Sequence, residues 1–274
     1  MTRSNIAFIG GGNMSGSMVG GIIARGWDPR AIRVSDPDAG CRERLGALGV
    51  LTSADNHEAA ASADIVVLAV KPQQLRSACR DIAAAVAERG SLVISIAAGI
   101  GTASLQSWLG ADVAIVRCMP NTPALLQASA TALYATPAVT AEQRAAAHEI
   151  LSSVGFVAWV EDEDAMHAVT AVSGSGPAYF FLVMEAMQLA AENLGLDPAL
   201  ARQLTAQTAL GAARMALETD VDVVELRRRV TSPGGTTERA LRVLEERGLR
   251  RVFESALEAA SNRSRELADE LGQP

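Results

Sequence analysis

The chain has 274 residues, room for two domains or one large one, and a formal net charge of -7 from 24 basic and 31 acidic residues. That balance excludes nucleic acid as the main partner. A composition that is 49% hydrophobic but 4% aromatic predicts a mostly aliphatic core.

Cys41, Cys79 and Cys118 are odd in number and lack zinc spacing. They fit a reducing compartment and are expected as buried, inert thiols. The N-terminus has no signal-peptide layout, and the apolar run of residues 178–184 stops at Glu185. A spanning helix needs ~20 apolar residues, so a cytoplasmic protein without a membrane partner is the expectation.

The first predicted strand, NIAFIG, runs into Gly10-Gly11-Gly12-Asn13-Met14-Ser15 and then a glycine-rich helix. This matches a dinucleotide fingerprint in which Gly10 permits the tight turn and Gly12 lets the backbone approach a pyrophosphate. Ser15 keeps the third position small, and the following helix start supplies N–H donors. IRVS, residues 32–35, is the second strand, and Asp36 follows it. There an acidic residue bonds the adenosine ribose of NAD; equally, Asp36-Pro37 reads as a plain turn. Ser35 and Arg33 are placed to hold a 2′-phosphate, so the residues leave the cofactor open.

Residues 64–70, 91–97 and 113–119 are further apolar strands. With helices between them they predict a doubly wound parallel sheet covered on both faces. Ligands sit at the carboxyl ends of such strands. Lys71, before Pro72, offers either a charge to a ligand or a solvated turn lysine. Asn121, in Pro120-Asn121-Thr122-Pro123, offers either an amide to a nicotinamide or ordinary loop packing.

From about Glu163 the strand signal stops. Residues 161–166 read as the domain junction, with mostly solvated charges. Residues 178–195 are apolar nearly all round, and Asp197-Pro198 starts a long alanine-rich helix. Helices of that kind need covering, so the second half is expected to pair with another copy, the alternative being packing against its own first domain.

Two helix starts, Ser173-Gly174-Ser175-Gly176-Pro177 and Ser232-Pro233-Gly234-Gly235-Thr236-Thr237, read as anion sites with open N–H groups or as ordinary caps. With Ser232 as N-cap and Pro233 at N1, both glycines of the second fall in its first turn, at ~1 kcal/mol each relative to alanine. Arg227, Arg228 and Arg229 point in different directions at helical spacing and read as a solvated helix end. His57, His148 and His167 are scattered, with no triad or metal spacing.

IAFIGGGNM, LAVKPQ, VISIAAGI, VRCMPNTPAL, LLSSVGF, AVSGSGPAYFF, QTALGAARM and VTSPGGTTERAL run in order along the chain. Together they resemble the pyrroline-5-carboxylate reductase family. The resemblance implies an α/β fold: an N-terminal Rossmann-type doubly wound sheet, residues 1–162, followed by an all-helical dimerisation and substrate-binding domain, residues 163–274. It implies interlocked homodimers, commonly assembled as a decamer. It implies reduction of L-1-pyrroline-5-carboxylate to L-proline with NADPH, or NADH in some members, as the last step of proline biosynthesis.

Family roles carry the substrate carboxylate onto Ser232, Gly235 and Thr236, the ring nitrogen onto Thr237, and a position near the substrate onto Glu163. Cofactor contacts fall on Asn56, Ala69, Val70, Lys71, Pro72 and Ala97, beside Gly10, Gly11, Gly12, Asn13, Met14, Ser35 and Asp36. The rivals are a β-hydroxyacid dehydrogenase, disfavoured because no lysine follows Lys71, or another imine reductase with the same two-domain plan, and a non-catalytic NAD sensor, which has no use for a second anion-binding helix start.

Overall fold

A computed structural model describes residues 4–272. In chain order the first unit contains β1 (Ile6–Ile9), α1 (Asn13–Ala24), β2 (Ile32–Ser35), α2 (Ala39–Gly46), β3 (Leu51–Ser53), α3 (Asn56–Ala60), β4 (Ile65–Leu68) and α4 (Pro72–Arg89). It continues with β5 (Leu92–Ser95), α5 (Thr102–Leu109), β6 (Ile115–Met119), β7 (Ser129–Ala135), α6 (Ala141–Ser152), β8 (Gly155–Trp159) and α7 (Ala165–Val169).

The strands form one sheet in the order β3-β2-β1-β4-β5-β6-β7-β8. The strands from β3 to β6 are parallel; β7 pairs antiparallel to β6, and β8 parallel to β7. Strand order reverses between β1 and β4, which opens the crevice where a dinucleotide lies in this topology.

Alternation along each strand sends side chains to two cores. Ile6, Phe8, Val34, Val67 and Ile94 pack with Met18 and Ile22 of α1 and Ile150 of α6. Ala7, Ile9, Val66, Leu68 and Val93 pack with Leu75 and Ile82 of α4 and Leu105 and Trp108 of α5. Both faces are therefore covered, which is why β1, β4 and β5 read as continuous apolar runs and β6 as one broken by Arg117. Three strands escape the sequence reading: β3, β7 and β8.

The chain separates into two compact units, the second being Gly176–Glu258 and the first everything before and after it. The expected division at 162/163 marks where strand-forming sequence ends. Residues 163–175 and 259–272 belong to the first unit instead. His167 Nδ1 lies 2.9 Å from Ser264 Oγ, Arg265 pairs with Asp164 at 3.1 Å, and Ser104 Oγ donates to the Gly272 carbonyl at 2.8 Å.

The second unit holds α8 (Gly176–Asn193), α9 (Pro198–Glu218), α10 (Val223–Arg229), α11 (Thr236–Glu246) and the first part of α12 (Leu249–Leu271). Asp197 caps α9 through the N–H groups of Ala199 and Leu200, as its sequence predicts. Within this unit only Gly176, Ala201 and Thr205 are buried. No described helix is long and apolar enough to cross a membrane.

Candidate active site

The glycine-rich turn joins β1 to α1. Gly10 has φ +102°, and a Cβ there would stand 2.7 Å from the Ala69 carbonyl oxygen. Glycine is required on both counts. The buried Ser15 hydroxyl donates to the Gly10 carbonyl at 2.6 Å, so the small third residue of the fingerprint also fixes the turn. A Cβ on Gly12 would meet nothing within 4 Å. Gly12 is the N-cap of α1 and no side chain caps it. The backbone approach is therefore open, and the first N–H groups of α1, at Asn13 and Met14, have no side-chain partner from the cap.

At the end of β2 the Asp36 carboxylate accepts the Gly11 N–H at 2.7 Å and the Asp38 N–H at 2.8 Å. It ties the glycine turn to the β2 turn, so the plain-turn reading holds for part of its function. Ser35 is buried and donates to Asn56 Oδ1 at 2.8 Å, while Asn56 Nδ2 donates to Asp81 at 3.2 Å. Two guanidinium groups stand at the same rim. Arg42 donates to the carbonyls of Asp36 and Pro37 at 2.7 and 2.8 Å, and Arg44 to that of Gly11 at 2.7 Å. Arg33, the side chain expected to help with a phosphate, instead donates to the Glu58 carbonyl at 3.1 Å.

Ala69, Val70 and Lys71 continue from β4, and Lys71 is the exposed N-cap of α4 with Pro72 at N1. Ala97 is 5% exposed, at the end of β5. The Asn121 side chain is engaged within its own loop. Its Nδ2 donates to the Ser173 carbonyl at 2.9 Å, and its Oδ1 accepts from Ala130 N and Ser129 Oγ at 3.0 and 3.1 Å. The amide closes the loop after β6, which supports the packing alternative.

Glu163 is not one of the solvated charges expected of the junction. Its Oε1 accepts the Thr102 N–H at 2.7 Å and Arg117 Nη1 at 2.8 Å, and its Oε2 accepts the Thr102 hydroxyl. Arg117 is 3% exposed within β6. Burying a guanidinium is tolerable only with such a partner.

His167 lies beside this pair. Burial, and next the positive charge of Arg117, hold its imidazolium below the ordinary histidine range. Burial pushes the Cys79 thiol up to about 12 and Cys118 higher, so both are inert thiols. Cys41 departs from that expectation by being only partly buried.

In the second unit the SPGGTT segment is built differently from its sequence reading. The N-cap of α11 is Gly235, not Ser232, and α11 starts at Thr236. The two glycines precede the helix and are spared the helix-interior cost. Gly234 has φ +72°, and Gly235 N–H turns back to the Ser232 carbonyl at 3.0 Å. A tight turn, not a capping serine, delivers the chain into the helix. Glu238 accepts the Gly234 N–H at 2.8 Å. No side chain caps α11, so the first-turn N–H groups at Thr236 and Thr237 stay available to an anion.

The SGSGP segment is no second helix start of that kind. Residues Thr170–Gly174 form a π-helical turn that follows α7 directly and leads into α8. Ser175 N–H bonds the Thr170 carbonyl at 2.9 Å, and Ser173 Oγ donates to the Val169 carbonyl at 3.0 Å. These donors are satisfied by the preceding turn. A Cβ on Gly174 would stand 2.5 Å from Met119 Cε, the mobile end of a flexible side chain.

Residues 163–267 match the family model described as pyrroline-5-carboxylate reductase dimerisation, and residues 5–99 match one described as NADP oxidoreductase coenzyme F420-dependent. A pyrroline-5-carboxylate reductase from Pseudomonas aeruginosa is 52% identical over 274 residues, covering all of both chains. The chain belongs to the pyrroline-5-carboxylate reductase family. A solved pyrroline-5-carboxylate reductase from Coxiella burnetii superposes with a TM-score of 0.94 at 50% identity, over 97% of this chain and 98% of that one. Another from Plasmodium falciparum, with NADP bound, superposes with a TM-score of 0.87 at 28% identity, over 98% and 99%.

Within this pyrroline-5-carboxylate reductase family frame, the structure gathers Gly10, Gly11, Gly12, Ser35, Asp36, Asn56 and Ala69 at the carboxyl edge around β1 and β4. Arg42, Arg44, Thr102 and Arg117 were missed by sequence reasoning. Arg117 carried a signal, a lone charge inside the apolar run VAIVRCM. Thr102 carried none, because its role depends on a carboxylate 61 residues away.

Proposed function

We propose that this chain reduces L-1-pyrroline-5-carboxylate to L-proline with hydride from NADPH, NADH serving as an alternative, in the last step of proline biosynthesis. Full-length similarity to pyrroline-5-carboxylate reductases carries this reading. The glycine turn fits the cofactor: a Cβ at Gly10 would close the cradle, and none of the surrounding atoms blocks Gly12.

Gly10, Gly11, Gly12 and the N–H groups of Asn13 and Met14 hold the pyrophosphate. Ser35, Asp36 and Asn56 face the adenosine ribose, and the guanidinium groups at Arg42 and Arg44 support a 2′-phosphate and hence NADPH. Ala69, Val70, Lys71, Pro72 and Ala97 line the nicotinamide side. When bound, the cofactor supplies the hydride; the protein orients the imine and excludes water.

Ser232, Gly235 and the N–H groups of Thr236 and Thr237 hold the substrate carboxylate, which aims the imine carbon. The Thr237 hydroxyl bonds the ring nitrogen. Threonine is a weak acid near neutral pH, so it positions that nitrogen or relays a proton through water. Glu163, the first residue of the 163–274 stretch, belongs to the same machinery. The chain works in the cytoplasm as a homodimer built into a decamer.

Following NADPH and NADH oxidation with pyrroline-5-carboxylate, beside a panel of hydroxy acids, tests the reading. The expected result is turnover with the cyclic imine and a preference for NADPH. Oxidation linked only to a hydroxy acid would replace it with the dehydrogenase alternative. Thr237→Ala should lower kcat by at least about tenfold while leaving the NADPH Kd within about twofold. Unchanged turnover would remove Thr237 from the reaction.

A further inference from the structure

The loop between β5 and α5, residues 96–101, carries Ala97 at the cofactor edge and lacks a lock of its own. Gly101 is the N-cap of α5 and provides no side chain to cap it. Gly99 sits at φ +74°, and a Cβ there would stand 3.2 Å from Leu267 Cβ of α12. The loop is held from outside, by α12 at its middle and by Glu163 at its end. Glu163 supplies the missing cap, taking both the N–H and the hydroxyl of Thr102. Arg117, buried in the neighbouring strand, holds the carboxylate against it at 2.8 Å. All three donors converge on one carboxylate whose side chain is 25% exposed.

We propose that Glu163, clamped by Arg117, is a positioning residue that sets the 96–101 loop for the nicotinamide end of the cofactor, and that it acts through the loop without touching the imine. This rests on the reductase reading for its consequence in turnover, while its consequence for cofactor binding stands apart from the substrate. The charge pair is coupled to placement of the loop because the same oxygen that accepts from Arg117 accepts from the first N–H of α5.

The test uses the full-length protein and four forms: wild type, Glu163→Gln, Arg117→Met, and the double variant Glu163→Met with Arg117→Met. Each is measured for NADPH Kd by the cofactor's own fluorescence, for kcat and both KM values with pyrroline-5-carboxylate, and for Tm. A displaced loop should weaken NADPH binding and lower kcat by about 10- to 100-fold in both single variants, with the KM for the imine within about twofold.

The double variant removes the unpaired buried charge and should recover Tm, yet its Kd and kcat should stay impaired. Recovery of Tm, Kd and kcat together would reduce the pair to a structural prop and overturn the proposal. A rise in imine KM confined to Glu163→Gln, with Arg117→Met near wild type, would also overturn it by placing Glu163 on the substrate. If wild type binds NADPH but leaves pyrroline-5-carboxylate unreduced, the functional reading fails while the Kd comparison still decides the role of the loop.

Discussion

At Gly10 two independent constraints meet in one residue. Its φ of +102° is one that L side chains rarely adopt, and the Ala69 carbonyl stands where a Cβ would go. Gly10→Ala should lower stability by about 1–3 kcal/mol and abolish NADPH binding, checked by denaturant unfolding and cofactor titration. This glycine was legible because the stereochemistry of a turn is local.

His167 was not legible, since its lowered pKa comes from burial and then from the positive charge of Arg117, brought together by the fold. An unfolded histidine titrates near 6.5. As pH falls below that value, the unfolded chain takes up the proton before the folded chain does. Stability is therefore present above about pH 6.5, declines as pH falls toward the lowered folded value, and levels off below it. His167→Gln should flatten this slope in urea midpoints measured across pH; an unchanged slope would remove His167 as its source.

At the scale of elements, local pattern reached as far as burial on both faces made strands unmistakable. β7, SATALYA, and β8, GFVAW, lack a long aliphatic run. Their strand state comes from pairing, β7 with β6 and β8 with β7, and is decided by partners distant in sequence. Capping was legible where a side chain does it. Asp197 accepts two N–H groups at the start of α9, so Asp197→Ala should cost about 1 kcal/mol in unfolding free energy. An Asp197→Asn control should lose far less. Capping was misread at α11, where Ser232 has the right chemistry but the positive φ of Gly234 shifts the helix start to Thr236.

For the whole molecule, the second unit presents Phe180, Phe181, Leu182, Leu189 and Leu217 at 55–85% exposure. With three buried residues it has no core of its own to stabilise five helical segments. We propose that burial against another copy meets that need, in keeping with the dimerisation model matched over residues 163–267. Light scattering should give a dimer or a multiple of it. Phe181→Asp should shift that mass toward a monomer by placing a charge in the covered face. A wild-type chain that stayed monomeric at all concentrations would overturn this.

The sequence by itself determined the parallel sheet, the glycine turn and the apolar helices in want of a cover, because hydrophobic period and turn stereochemistry are properties of neighbouring residues. Only the tertiary structure decided that Asp36 closes the glycine turn, that Asn121 is committed to its own loop, and that Glu163 caps α5 through Arg117. Those outcomes depend on which polar groups meet after the chain has folded, and spacing along the chain holds no record of that.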